Sequence, residues 1–301
     1  MDKVIAVVVT YQPNVEQLLR LLNVISMQTE EVLVVDNNST TNVGHWLTHT
    51  VGLSNVYCLS LSDNVGVAKA QNKGIAWARE QGAEYVLLLD QDSEPAFDMV
   101  GELLAAMKQK QNEGYNTAAV GANYADIKGQ QVPPFVKLTG FRLHRIKCNA
   151  NEIVAVDHLI ASGCLISMAA LAKIGVMEEQ LFIDYVDTEW CLRAIHSGYC
   201  IFGVGSAQMR HSLGDSFVHL FGRTIPVHSP LRYYYLVRNG LWLLRQPWIS
   251  NSWRLMDIKR LFLIYMAYSL FIDPRYKNWK MMTLGIWHGL RGKTGKLTID
   301  V

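Results

Sequence analysis

Tyr85-Val86-Leu87-Leu88-Leu89-Asp90-Gln91-Asp92-Ser93-Glu94-Pro95 is an apolar run that stops at two acids one residue apart. Unbroken apolar character means burial on both faces, as in a strand inside a parallel sheet. Val4–Thr10, Val32–Asp36 and Val56–Leu61 are runs of the same kind. Helical patterns lie between them. Pro13 opens the first as a helix-start signal, with Leu18, Leu22 and Ile25 on one face. Val65–Gln81 forms the third and closes at Gly82. Strand–helix alternation with short connections predicts an open, right-handed, doubly wound α/β sheet. Ligands of such sheets bind beyond the carboxyl ends of the strands.

Polar residues collect at those ends: Thr10-Tyr11, Asp36-Asn37-Asn38-Ser39, Asp63-Asn64-Val65-Gly66 and Asp90-Gln91-Asp92. Any one cluster is what a turn or helix cap offers; four along one sheet edge point to a site. In extended chain Asp90 and Asp92 project to the same side. Two hard carboxylate oxygens suit Mg²⁺ or Mn²⁺, which also take oxygens from a substrate diphosphate and offset charge on a leaving group. The competing reading is a strand followed by a helix that Ser93, Glu94 and Pro95 start. A second constellation, Phe182–Arg193, brings Asp184, Asp187 and Glu189 ahead of a helix-like segment ending at Gly198. A carboxylate there can act as general base toward a hydroxyl, or can cap the helix through its dipole.

The chain of 301 residues, half of them hydrophobic, can bury a full core. Its net charge of +2 hides an asymmetry. Residues 1–220 carry 15 Lys/Arg against 23 Asp/Glu, and residues 221–301 carry 13 against 3. The second part also holds five of the eight Trp. A basic, aromatic tail suggests an anionic surface as partner. The acidic first part opposes a continuous basic track, so nucleic acid is not the expected one. Five cysteines without a CxxC spacing indicate neither a disulfide framework nor a zinc site and suggest a reducing cytoplasmic setting. The start reads as a strand rather than a signal peptide. The longest uncharged apolar run, Leu261–Ile272, falls short of the ~20 residues of a spanning helix.

Taken in order, Val8-Val9-Thr10-Tyr11, Val34–Ser39, Asn64–Ala68 with Asn72-Lys73-Gly74, Asp90-Gln91-Asp92 and the Asp187 segment resemble the inverting glycosyltransferases of the GT-A fold, family 2. Leu87–Pro95, Asp184–Ala194, Arg210–Asp215 and Ser229–Asn239 are most similar to bacterial rhamnosyltransferases of O-antigen and related cell-surface polysaccharide synthesis. The resemblance implies a Rossmann-like, mostly parallel sheet over residues 1–220, carrying the nucleotide-sugar and catalytic site, and a helical region at 221–301. It implies a nucleotide-sugar donor, dTDP-L-rhamnose, held by Thr10, Tyr11, Asp36, Asn37, Asn64, Gly66, Lys69, Asp90 and Gln91. Asp92, Asp90 and His211 would bind the metal. Asp187 would be the base, with Glu189 in support and Asp184 its rival. Asp157, Gly163 and Asp184 would line the sugar or acceptor pocket. The expectation is one cleft, with the metal on one wall and the proton acceptor on the other.

The acceptor expected is a lipid-linked saccharide at the cytoplasmic face of the inner membrane. Tyr233-Tyr234-Tyr235, Trp242, Trp248, Trp253 and Trp279, interleaved with Arg232, Arg238, Arg245, Arg254, Lys259 and Arg260, suit headgroup level and anionic lipid, with helices lying in the interface. The same aromatics could instead pack on the catalytic part or on a second subunit of a homo-oligomer. A UDP- or GDP-sugar donor remains open, as does a nucleotidyltransferase. The latter would want a basic, glycine-rich loop after the first strand, where Tyr11-Gln12-Pro13-Asn14 stands.

Overall fold

The computed structural model describes residues 2–126, 133–211, 216–220 and 223–298, with the backbone alone at 50, 51, 126, 211, 216–220 and 223–226. Its first half is β1 (Val4–Thr10), α1 (Val15–Ile25), β2 (Glu31–Asp36), α2 (Val43–Trp46), β3 (Val56–Ser60), α3 (Val67–Glu80) and β4 (Tyr85–Asp90). Helix α1 begins one residue beyond the expected signal: Asn14, not Pro13, caps it, accepting from the Glu16 and Gln17 amides. Gly82 ends α3 at φ +74°, as its C-terminal role requires.

The chain continues with β5 (Glu94–Pro95), α4 (Met99–Asn112), β6 (Thr117–Asp126), β7 (Phe135–Thr139), β8 (Arg142–Ile146), β9 (Ile153–Val156), β10 (Cys164–Ser167), α5 (Met168–Ile174), α6 (Val186–His196) and β11 (Cys200–His211). Among the described residues one nine-stranded sheet runs β3-β2-β1-β4-β10-β6-β11-β5, with β9 on β11. Strands β1 to β4 pair parallel, as expected. Strand β10 runs antiparallel between β4 and β6. Glu94 and Pro95 do not start a helix: they form an edge strand against Met209 and Arg210.

Alternation along β1 feeds two cores. Val4, Ala6 and Val8 pack with Leu18, Leu22 and Ile25 of α1 and Leu103 and Met107 of α4. Ile5 and Val7 pack with Ala70 and Ile75 of α3, in the core that holds Leu171 of α5 and Trp190 of α6. The helices α7 (Pro230–Leu243), α8 (Asn251–Leu270) and α9 (Arg275–Leu290) follow a hairpin of β12 (Ser216–Leu220) and β13 (Arg223–Val227). Tyr233, Val237, Tyr268, Ile272 and Met282 form their shared core. No described helix is long and apolar enough to cross a membrane.

Helix α3 reaches β1 through Gly74, where an added Cβ would collide with the fully buried Val7 side chain. Val7 is stiff at χ1 and cannot swing clear. Gly74→Ala should therefore lower stability by about 1–3 kcal/mol. Gly101→Ala, in open space on α4, should raise it by about 0.5–1 kcal/mol through helix propensity. Urea denaturation of the two variants tests this; equal and opposite-signed results to those stated would remove the close α3–β1 contact.

Candidate active site

The carboxyl ends of β1, β2 and β4 and the start of α3 surround a cavity of about 530 Å³. Tyr11, Asn37, Asn64, Gly66, Asp90, Gln91 and Asp92 line it, as expected, together with Phe182, Ile183 and Arg232. The strand-end loops brace one another. The Tyr11 amide donates to Gln91 Oε1 (2.7 Å), and the Gln91 amide donates to the Tyr11 carbonyl (3.2 Å). Asn37 donates to Asn64 Oδ1 (3.1 Å) and accepts from the Val65 amide (2.9 Å).

Three expected donor residues do not line the cavity. Thr10 is fully buried and donates to Asp36 (3.0 Å); Asp36, also buried, accepts from the Ser39 amide as well. Both tie loops together under the cavity floor. Lys69 points to solvent from α3 and pairs with Glu179 (3.8 Å). Gly66, at φ +86°, answers to a different close approach than a nucleotide's: a Cβ there would lie 2.5 Å from the Phe182 carbonyl oxygen. The Val67 amide donates to that same oxygen (2.7 Å).

Asp187 is not among the residues that line the cavity of Asp92. It lines a neighbouring cavity of about 330 Å³ with Asp184, Tyr185, Thr188, His158, Leu236, Trp253, Met256, Asp257 and Arg260. The turn Phe182–Tyr185 stands between: Phe182 and Ile183 face the first cavity, Asp184 and Tyr185 the second. One ion pair bridges them, Arg232 to Asp184 at 2.7 Å. Phe182, Asp184 and Tyr185 all have φ between +62° and +66°, a conformation costly for residues with a Cβ. Helix α7 holds the turn. Buried Asn239 donates to the carbonyls of Leu181 (2.9 Å), Ile183 (2.7 Å) and Asp184 (2.9 Å). Buried Arg238 donates to the Leu181 carbonyl (3.0 Å). Tyr185 is fixed from α8, its hydroxyl donating to the buried Asp257 carboxylate (2.8 Å).

Asp187, in the first turn of α6, accepts from the Thr188 amide on one oxygen (2.7 Å) and faces His158 Nε2 with the other (3.7 Å). Burial pushes its carboxyl up, but the His158 ring and the Thr188 amide outweigh it and hold the group below the usual carboxylate range. Glu189 turns away. Two residues along a helix is a rotation of about 200°, and Glu189 is fully buried with Arg193 (2.7 Å), which in turn donates to the Ile174 and Val176 carbonyls. It fastens α6 to the preceding loop and lines neither cavity. Asp157 accepts from the Leu138 amide (2.6 Å), steadying the β7–β8 hairpin, and burial pushes its carboxyl up. Gly163 sits in the turn ahead of β10, at φ +76°, its amide donating to the Leu88 carbonyl (2.9 Å). Of the three expected acceptor residues, Asp184 alone lines the second cavity. His211 ends β11, and its side chain lies outside the described residues.

Two carboxylates on one wall fit a divalent cation that takes its other ligands from diphosphate and water. Among the described residues no group of three or more His, Cys, Asp and Glu could hold a metal without such help. Neither Arg232 nor Asn239 was expected in the site. For Asn239 the available signal was the Arg238-Asn239 pair inside an apolar helix, since such residues are buried only when partnered. Tyr233, Tyr234, Tyr235 and Trp253, expected at headgroup level, are instead buried in the protein.

The Glycosyl transferase family 2 profile matches residues 5–175, more than half of the chain. This chain belongs to glycosyltransferase family 2. It is 33% identical over 299 residues to the dTDP-rhamnosyl transferase RfbF of Shigella flexneri, covering 98% of this chain and 97% of that one. Its fold is GT-A. Residues 1–349 of S. aureus TarS in complex with UDP-GlcNAc superpose with a TM-score of 0.60 at 15% identity, covering 97% of this chain and 92% of that one. GalNAc-T7 with UDP, GalNAc and Mn²⁺ gives 0.57 at 13% identity, covering 96% of this chain and 56% of that one.

Asn239→Ala should destabilise this glycosyltransferase by roughly 2–4 kcal/mol: Leu181 keeps its Arg238 donor, but the Ile183 and Asp184 carbonyls lose theirs, at about 1–3 kcal/mol for each buried group left unpaired. Chemical denaturation measures it; a loss below about 0.5 kcal/mol, the range of an ordinary surface change, would show that the turn does not depend on α7.

Proposed function

We propose that this enzyme transfers L-rhamnose from dTDP-β-L-rhamnose, with inversion, onto a hydroxyl of a lipid-linked saccharide during assembly of an O-antigen-like polysaccharide. Similarity to a dTDP-rhamnosyl transferase at 33% identity over nearly the full length of both chains supports the donor. The chemistry rests on one observation: Asp187 lines one cavity and Asp90 with Asp92 the next, on two sides of a single turn. The second reading is a UDP-sugar donor, favoured by the UDP-GlcNAc held by a protein of like fold.

Tyr11, Asn37, Asn64 and Gln91 receive the nucleoside end. Asp90 and Asp92 hold Mg²⁺ or Mn²⁺, which when bound offsets charge on the departing diphosphate. Asp187 keeps one oxygen on the Thr188 amide and takes the acceptor hydroxyl's proton with the other. That hydroxyl oxygen attacks the anomeric carbon from the face opposite the diphosphate, so a β-linked donor yields an α-rhamnoside. Each interaction strengthens as charge develops, which is what lowers the barrier.

Purified enzyme given Mg²⁺ or Mn²⁺ and a panel of nucleotide sugars should release nucleoside diphosphate from dTDP-rhamnose. Release from a UDP-sugar alone would replace the donor, and full activity in excess chelator would remove the metal. Asp187→Asn should cut kcat by about 10²–10⁴-fold, the worth of a general base, while donor affinity holds. The lowered pKa of Asp187 means that its base form is lost only as pH falls through that low value. His158→Ala removes what opposes burial, so the acid limb of kcat should move to higher pH. An acid limb identical to wild type would exclude the pairing.

The acceptor's lipid calls for a membrane surface. Leu255, Ile258, Phe262 and Leu263 of α8 and Tyr276, Trp279 and Trp287 of α9 are exposed, with Lys259 and Lys280 exposed among them. Apolar and aromatic side chains beside lysine suit the headgroup region of an anionic bilayer, here the cytoplasmic face of the inner membrane. The enzyme should float with vesicles containing anionic lipid, and Phe262→Glu with Trp279→Glu should abolish flotation without lowering Tm. Flotation of the double variant at the wild-type level would rule the surface out.

A further inference from the structure

A diphosphate in the donor cavity would meet carboxylates on one wall and a guanidinium on another. A nucleoside diphosphate is an anion, and its charge grows on the β-phosphate oxygen as the sugar leaves. Asp90 and Asp92 line the wall, and of the described residues lining this cavity Arg232 is the one Lys or Arg. Lys69, the basic residue that the family resemblance offers for this cradle, is engaged with Glu179 instead.

We infer that Arg232 is the protein's own cationic ligand for the donor diphosphate, and that it stabilises the leaving group in the reaction proposed above, on which this assignment rests. Arg232 lies in the first turn of α7. Its guanidinium is held in place from two sides. Nη2 donates to Asp184 Oδ1 (2.7 Å), and Nη1 lies 3.3 Å from His228 Nδ1. The side chain keeps 37% of its surface accessible, while its Asp184 partner keeps 14%. A planar guanidinium can retain a carboxylate on one edge and present further N–H donors to phosphate oxygens. Asp184 thereby acts as a positioning residue. It aims the guanidinium and limits the rotamer entropy that binding would otherwise remove.

The step balances within the site. The bond from the anomeric carbon to the β-phosphate oxygen breaks, and its electron pair stays on that oxygen, against Arg232. The acceptor oxygen forms the new bond to carbon. Its proton goes to Asp187 in the adjoining cavity.

The test is calorimetric titration of dTDP, with UDP in parallel and thymidine as the phosphate-free control, in Mg²⁺. Wild type, Arg232→Gln and Arg232→Lys are compared. Glutamine can still donate to Asp184, so the turn keeps its tether and Tm should hold. Arg232→Gln should weaken nucleoside diphosphate binding roughly tenfold to a hundredfold, as loss of a hydrogen-bonded charge does, with kcat falling as well. Arg232→Lys should recover part of both, and thymidine affinity should not change. Diphosphate affinity within experimental error of wild type, at unchanged Tm, would overturn the assignment. An equal loss for thymidine would also overturn it, because the cavity itself would then have collapsed. Failure of wild type to bind any nucleoside diphosphate would instead overturn the donor reading, and this assignment with it.

Discussion

Three carbonyls on one amide decide the shape of the site. Asn239 donates to Leu181, Ile183 and Asp184, and these bonds hold a turn whose Phe182, Asp184 and Tyr185 sit at positive φ. Each such residue costs of order 1–3 kcal/mol, so the turn would relax without outside support. It is gripped on three sides: by α7 through Asn239 and Arg238, by α8 through Asp257 on Tyr185, and by α3 through the Val67 amide on the Phe182 carbonyl. Gly66 is glycine because the turn comes this close. The result is a thin wall with a donor-side face and an Asp187-side face.

The helical region after residue 221 is consequently part of the site. Its positive charge looked from the sequence like a surface property. Part of it is spent on contacts within the protein: Arg232 on Asp184, Arg238 on the Leu181 carbonyl, Arg254 on the Gln246 carbonyl and Arg260 on Asp257. Arginine suits this use because its fork meets several carbonyl and carboxylate oxygens at once. Lysines such as Lys259 and Lys280 stay outside. Arg245, Arg275 and Arg291 are exposed as well, so the region also turns arginine charge to solvent.

The sheet was legible in the sequence because β1, β2 and β4 are buried on both faces, and their apolar runs ended within a residue of the observed strands. Strand β5 was not, since two residues pair with Met209 and Arg210 more than a hundred positions away. In the site, the strand-end residues that the sequence grouped do come together: Tyr11, Asn37, Asn64, Asp90, Gln91 and Asp92 line one cavity. Thr10 and Asp36 misled because a polar residue that ties loops together has the same composition signature as one that meets a ligand. Glu189 and Lys69 misled by helical phase, which carries them away from their cavities. His158 and Arg232 left no local signal. His158 reaches Asp187, and Arg232 reaches Asp184, only after distant elements have packed.

The divided site has a physical logic that a single cleft would lack. A carboxylate base set directly beside Asp90, Asp92 and a diphosphate would feel like charges on every side, and its pKa would climb. The turn stands between the two cavities: Arg232 lines the donor side, and His158 faces Asp187. Asp184 is the hinge of this arrangement, lining Asp187's cavity while its carboxylate holds the donor-side guanidinium. The anomeric carbon of a bound donor would have to lie at the edge of the wall, open to both cavities. In the reaction proposed above, an acceptor oxygen activated by Asp187 would approach there from the face opposite the leaving diphosphate.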